Sequence, residues 1–329
     1  MLATNFGVIP SSASSGFWLS GWTYGKKITI PASQIDADLT NFPCTVILDT
    51  GNFTFANALS SGYDIRFTDG SLNQLKFERQ EHSNITPRAV YHVKIPTVAD
   101  AADTVFYMWY GNSGASDAQD KVNVWDANYK MVLHLGATLS DSTSNVNNGT
   151  ATGTTVVDTA YGKGRSFNGS SDYVTLTALL NASAGTILAV VKPTDFQNYD
   201  KIIVDDGAGY VLFGKSAVTT GLGFGLYDTA LKKVSTGITL DNGIFYSLTG
   251  VYSNGSAIKV FIDTTSYSGD TLTGNIGSVA TALKLGKDQS YYLGATYTSV
   301  RISNIARSDA WVKAEALSVK NGLITITDI

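Results

Sequence analysis

Glycoside hydrolysis needs two carboxyl groups aimed at one bond, roughly 5 Å apart for retention and up to ~9.5 Å for inversion. The chain offers only three glutamates for such work: Glu78, Glu81 and Glu315. On a regular strand, only residues an even number apart share a face. Glu78 and Glu81 are three apart and Asp205 and Asp206 are adjacent, so each pair is expected to split across its strand. Nucleophilic hydrolysis needs a histidine beside Ser or Cys. His82, His92 and His134 are the three available, and no Gly-x-Ser-x-Gly elbow accompanies them. His82 reads as exposed beside Glu81, and His92 alternates with Val90 and Lys94 on a strand face. The expected catalytic set is therefore empty.

Binding chemistry is better represented. DSTSNVNNGT supplies Asp141, Asn145 and Asn147, oxygen donors of the kind a hard cation such as Ca²⁺ requires. Calcium is the one cofactor this suggests, and ordinary Asx turns are the competing explanation. No Cys/His set has zinc spacing. Tyrosines in candidate loops could cover the C–H faces of sugars: Tyr199, Tyr227, Tyr291 and Tyr292. In an extended segment, one ring of the Tyr291–Tyr292 pair should point inward and the other outward.

Those side chains need a scaffold, and composition says which. The chain has 329 residues, 43% of them hydrophobic, enough for two cores. Only 15% are charged, and acids are nearly all Asp. With 17 Tyr and 14 Phe, this favours strands and turns over helices. The formal net charge of −4, without a basic stripe, argues against nucleic acid. No apolar run is long enough to span a bilayer. The first residues lack the positive and apolar regions of a secretory signal, and Met1 suggests another route out of the cell. Cys44 is the single cysteine and reads as a small core residue.

Period-2 alternation begins near Trp22, in KKITI, YDIRFTD and LKFERQE. It puts Ile65 and Phe67 inward and Asp64 and Arg66 outward. DTVFYMWYG is apolar on both faces, as a covered strand would be. A polar join, with Trp125 as an anchor, spans Asn112 to Tyr129. Later strands are expected at TILAVV, KIIV, YVLFG, GFGLY, FYSLTGVY, AIKVFI, LKLG and SVRIS. The one substantial helix should run from the cap Ser308 to Asn321–Gly322, with a stripe of Val312, Ala316 and Val319. The fold class is all-β, with two tandem β-sandwiches. An N-terminal arm occupies 1–20, a small sandwich 21–125 and a jelly roll 126–329. In the arm, Phe17 and Trp18 could cap the first sandwich. Phe6, Val8 and Ile9 lie further out and are expected to anchor it to a neighbouring subunit or particle protein.

GWTYGKKITI, LTNFPCTVIL, YDIRFTDG, YHVKIP and TVFYMWYGN together resemble the domain of unknown function 2341. DSTSNVNNGTATG, GKGRSFNGSSDYVTL, FYSLTGVYSNGSAIKVFID and SVRISNIARSDAWVKAEA resemble a laminin-G-like, concanavalin A-type jelly roll. That resemblance implies a fold that usually binds, and that commonly carries a His-Leu pair like His134–Leu135. Its glycosidase members use Glu-x-Asp-x-x-Glu, which is missing here. Its calcium-binding members often carry Asp-Glu before the VRI strand, where this chain has Thr298–Ser299.

The expected function is non-catalytic adhesion or display, with cell-surface glycans or particle proteins as partners and homo-oligomerisation open. The favoured setting is a phage or viral surface, as a head fibre, decoration or tail protein. A microbial cell-surface adhesin is the alternative, and a polysaccharide-processing enzyme the third reading.

Overall fold

A computed structural model of the chain describes residues 17–177, 180, 182–197, 200–205, 211–215, 221–277 and 283–329. The expected anchors Phe6, Val8 and Ile9, and Tyr199, lie outside the described residues. The chain is all-β, with a short helix near its C-terminal end.

Four sheets stack as two sandwiches. The first sandwich pairs a sheet ordered Thr325–Asp328, Tyr24–Ile30, Thr104–Tyr110, Arg66–Thr68 with one ordered Leu39–Asp49, Arg88–Val98, Phe77–Ser83. Ile28, Ile30, Phe67, Phe106 and Met108 face Phe42, Cys44, Val46, Phe77 and Val93 across its core. Cys44 is fully buried, and desolvation pushes its thiol up to about 12. The outward side of Thr104–Tyr110 is covered as well, because Phe17 and Trp18 lie over it. Phe17 lies against Tyr107 and Trp109, and Trp18 against Trp109. Asp64 and Arg66 do face away from the core as alternation requires, yet both are buried. Asp64 accepts from the Leu59 and Gly111 amides, while Arg66 stacks on Trp22 and donates to Ser116 O. Chain segments distant in sequence cover them, which alternation cannot reveal.

In the second sandwich, an eight-stranded sheet packs on a seven-stranded one. The eight-stranded sheet centres on Ala184–Asp195 and Gly294–Ser303. The seven-stranded sheet runs Leu231–Ser235, Gly223–Tyr227, Val211–Gly214, Lys201–Asp205, Leu283–Leu285, Tyr173–Leu176, Thr150–Thr152. Ile187, Ala189, Val191, Tyr297, Phe213, Phe224, Leu283 and Leu285 fill the space between them.

The C-terminal segment, grouped by sequence with the jelly roll, returns to the first sandwich. Thr325–Asp328 pairs antiparallel with Tyr24–Ile30, whose edge it covers. Before it, the helix Asp309–Val319 wedges between the sandwiches. Ser308 caps it by accepting from Trp311 N. Val312 contacts Val251 and Phe261, and Val319 contacts Leu188 and Val190, all on the jelly roll. Ala310, Trp311 and Ala314 belong to the first core. Wedged this way, the helix is apolar on two sides and does not carry a single stripe.

At the seam beneath this helix, Arg301 and Glu315 form a buried ion pair at 2.9 Å, each side chain 2% exposed. Glu315 also accepts from Tyr129 Oη at 2.7 Å. Removing one partner strands a charge away from water. Glu315→Ala should therefore cost about 3–5 kcal/mol, measured as a shift in the urea midpoint. A loss under about 1 kcal/mol would mean the seam relaxes to admit water.

Candidate functional site

Two surfaces present functional groups beyond what packing requires. The first is the outer face of the seven-stranded sheet. Val174 and Leu176 point into the core, so Tyr173 and Thr175 point out. Leu283 and Leu285 are likewise internal, so Lys284 is external. Gly286 then turns the chain at φ +72°, where a side chain would meet the Phe167 ring. The turn sets up a small hairpin in which Lys287 pairs with Tyr292 and Asp288 with Tyr291.

The result is a tyrosine–lysine patch. Lys287 Nζ lies 4.7 Å from the Tyr173 ring centre and 5.5 Å from that of Tyr292. Lys284 Nζ lies 4.8 Å from Tyr173. Tyr291 is 47% exposed and Tyr292 is half-buried, one ring to each side of the hairpin. Asp288 pairs with the buried Lys201 at 3.2 Å. Tyr227 is not part of this patch. Its strand is three places from Leu283–Leu285 in the sheet, about 14 Å away. Tyr173 was missed as a site residue, although the alternation in YVTL already sets it on the outer face.

The second surface is a cleft of about 440 Å³ between the sandwiches. Glu78, Gln80, Glu81 and His82 line it from the first sandwich, and His134, Thr138, Ser140, Ser142 and Lys163 from the second. The expectation that Glu78 and Glu81 face opposite ways is wrong. A bulge between Arg79 and Glu81 inserts one residue, so Glu78 opposes His92 and Glu81 opposes Val90. Both glutamates therefore serve the same side of the strand.

Both carboxylates are already committed. Glu78 accepts from Trp125 Nε1 at 2.8 Å and Ser142 Oγ at 2.6 Å, and His134 Nε2 lies 3.2 Å away in an ion-pair contact. Burial alone would raise its carboxyl, but His134, Ser142 and Trp125 outweigh burial and hold it below the ordinary range. Glu81 is ion-paired with Arg88 and accepts from Lys163 N at 3.1 Å. Such groups position neighbours; a general acid instead needs a raised pKa.

The histidines converge on this junction. His92 and His134 stack at 4.4 Å with an 8° tilt, one ring from each sandwich. In its neutral form, His92 donates from Nε2 to Gln80 Oε1 at 2.8 Å and accepts at Nδ1 from Thr45 Oγ1 at 3.2 Å. Desolvation, then the proximity of His134 and Arg301, pushes the His92 pKa well below its ordinary 6.5. His82, expected to be exposed, is half-buried between Tyr91 Oη and Asn84 Oδ1.

The Asp141 loop is occupied by its own backbone. The Asp141 carboxylate accepts from Val132 N, Thr143 N, Asn147 N and Thr143 Oγ1 at 2.7–3.0 Å. Asn145 and Asn147 turn their amide nitrogens to the carbonyls of Tyr129 and Lys130. Calcium wants six to eight oxygens. As arranged, this donor set does not fit the ion. No cluster of three or more His, Cys, Asp or Glu able to hold a metal occurs among the described residues.

Residues 168–313 match the model of the concanavalin A-like lectin/glucanases superfamily, in its laminin-G-like branch. Residues 61–135 match the domain of unknown function 2341, so the two segments follow in the order their motifs suggest. No curated protein matches the chain by sequence. Among solved structures, domain 4 of AbnA, a GH43 extracellular arabinanase from Geobacillus stearothermophilus solved with arabinotriose, aligns with a TM-score of 0.51 at 19% identity. The alignment covers 58% of this chain and all of that domain. The binding domain of Paraclostridial Mosquitocidal Protein 1 aligns with a TM-score of 0.50 at 15% identity. There the match covers 59% of this chain and about half, 53%, of the other. At these identities the likeness is one of fold.

The stacked histidines predict acid sensitivity with a definite sign. Above pH 6.5, His92 is neutral in both folded and unfolded chains, and its full contribution to stability is present. As pH falls below 6.5, the unfolded chain takes up a proton that the folded one resists, so stability declines. The charged and titratable groups around it, His134, Arg301 and Glu78, offer no unengaged carboxylate to reverse this. Melting temperature should drop between pH 7 and 5, and His92→Gln should flatten that drop. Parallel pH profiles for the two proteins would refute the assignment.

Proposed function

We propose that this chain is a non-catalytic, glycan-binding surface protein whose jelly roll meets sugar through the tyrosine–lysine patch. The carrying observation is the convergence of Tyr173 and Tyr292 beside Lys284 and Lys287, on the sheet facing away from the first sandwich. Tyrosine rings cover sugar C–H surfaces, and ammonium groups donate to ring oxygens and hydroxyls. The concanavalin A-like lectin/glucanase fold of this half supports the reading.

One observation favours an enzymatic alternative: the bulge that brings Glu78 and Glu81 to one side of the cleft. Against it stands the low pKa and full hydrogen bonding of Glu78, which leave no proton to donate to a leaving group.

Binding to a panel of immobilised polysaccharides tests both readings. The wild type should bind at least one glycan and release no reducing sugar from any. Tyr173→Ala with Tyr292→Ala should weaken binding by about tenfold, roughly 0.5–1.5 kcal/mol per ring. Reducing-sugar release that vanishes in Glu78→Gln would instead establish the enzyme.

For the setting, we favour display on a phage or viral particle, with a microbial cell surface as the alternative. Supporting display is the layout, in which Phe17, Trp18 and Thr325–Asp328 lie on one sheet of the first sandwich and the patch is on the far side. Immunogold electron microscopy of the producing culture should place label on particles. Label on cell walls would favour the adhesin, and label confined to cell interiors would contradict both.

A further inference from the structure

Lysine–carboxylate pairs such as Lys163–Asp158 and Lys313–Asp36 lie at the surface, with both side chains at least a third exposed. Lys201 and Asp288 are placed differently. The lysine side chain is 2% exposed and the aspartate 20%, with 3.2 Å between Nζ and Oδ2. The backbone fixes both ends. Lys201 opens the strand Lys201–Asp205, and its Nζ also donates to Lys215 O at 3.0 Å. Asp288 sits in the small hairpin opposite Tyr291. The base of that hairpin is tied to the lysine's strand, because Gly286 N donates to Ile202 O at 3.2 Å.

Taking two charges out of water is costly, and their mutual attraction returns that cost only in part. Burial accordingly pulls the Lys201 ammonium below its ordinary range, against the opposing pull of Asp288. Proton transfer from Nζ to the Asp288 carboxylate leaves an uncharged amine beside an uncharged acid, the reacting form of each. Asp200, next in the chain, is buried and within electrostatic reach of Lys201. Burial raises its carboxyl, and Asp195 adds to the rise, so it can hold a proton at this place. Groups fixed about 3–3.5 Å apart react at effective concentrations of about 10⁵–10⁸ M. Condensation would also remove two buried charges and leave a neutral amide.

We infer that Lys201 and Asp288 condense into an intramolecular isopeptide bond. The Lys201 nitrogen attacks Asp288 Cγ. A new N–Cγ bond forms, one Cγ–O bond breaks, and that oxygen leaves as water. Its two protons both come from the lysine nitrogen, one of them relayed through the Asp200 carboxyl. Ammonium and carboxylate thus become one secondary amide and one water, and the balance needs no further reactant. The bond closes a covalent loop through residues 201–288. It staples the hairpin of Tyr291 and Tyr292 to the strand beside it, independently of whether that hairpin meets a glycan.

Intact-mass spectrometry of the purified full-length protein tests this. The wild type should weigh one water less than its sequence, about 18 Da. Proteolysis should yield a branched peptide pair joined through Lys201 and Asp288. Lys201→Arg and Asp288→Ala should each show the full mass of their own sequences, with circular dichroism like that of the wild type. Asp288→Asn keeps an electrophile of the same shape and should condense with loss of ammonia instead, about 17 Da. That arm separates the bond from dehydration elsewhere and does not depend on the other variants folding. Asp200→Asn should leave a larger share of chains at full mass. A wild type at its full sequence mass would overturn the inference. So would a loss of about 18 Da that persists in Lys201→Arg.

Discussion

A buried ion pair holds the two sandwiches to one another. Arg301 lies on a central strand of the jelly roll and Glu315 on the helix that leads back to the first sandwich. Neither charge can be sealed from water unless strand, helix and join are all in place. Trp125 of the join covers the Arg301 guanidinium at 4.9 Å, and its indole N–H anchors Glu78. Arg307, bidentate to Asp126 and flanked by Tyr129 and Trp311, repeats the arrangement one step along the chain. Polar side chains with fixed directions thus set how the sandwiches sit, where an apolar seam would tolerate sliding.

This seam explains why parts of the architecture were legible and others were not. Strands such as Tyr24–Ile30 and Tyr246–Ser253 announce themselves because their alternation is local. The helix was readable because Ser308 and the Asn321–Gly322 stop are local signals too. The burial of Asp64, Arg66, Glu78 and Glu315 was not readable, because each is covered by chain far away in sequence. The bulge beside Gln80 has no side-chain signature, yet one extra residue reverses the facing of everything after it. The Asp141 loop is the converse case. Its oxygen-rich composition is that of a cation site, while its geometry spends those oxygens on backbone amides.

The candidate site was half visible. Tyr291 and Tyr292 stand out as a loop pair, and their in-and-out arrangement follows from extended geometry. Tyr173, more than a hundred residues earlier, joins them only because Tyr173–Leu176 and Leu283–Leu285 are neighbours in the sheet. The eight-stranded sheet gives its outer face to the helix and the first sandwich, through Val251, Phe261, Leu188 and Val190. The seven-stranded sheet lies on the opposite side of the core from that junction, which is where the aromatic and cationic groups gather.

The return of Thr325–Asp328 beside Tyr24–Ile30 has a mechanical consequence. The pairing places Asp328 opposite Lys26, and Ile329 packs where a side chain on Gly25 would sit. Chain entering at Tyr24 and chain leaving at Asp328 therefore pass through the same corner of the molecule. A tether attached at either point pulls from one place. Tension between that corner and a ligand held on the far sheet would have to pass through the junction between the sandwiches. A pull on Asp328 would reach that junction by way of the ladder between Thr325–Asp328 and Tyr24–Ile30. At the junction the load would fall on the helix and its ion pair.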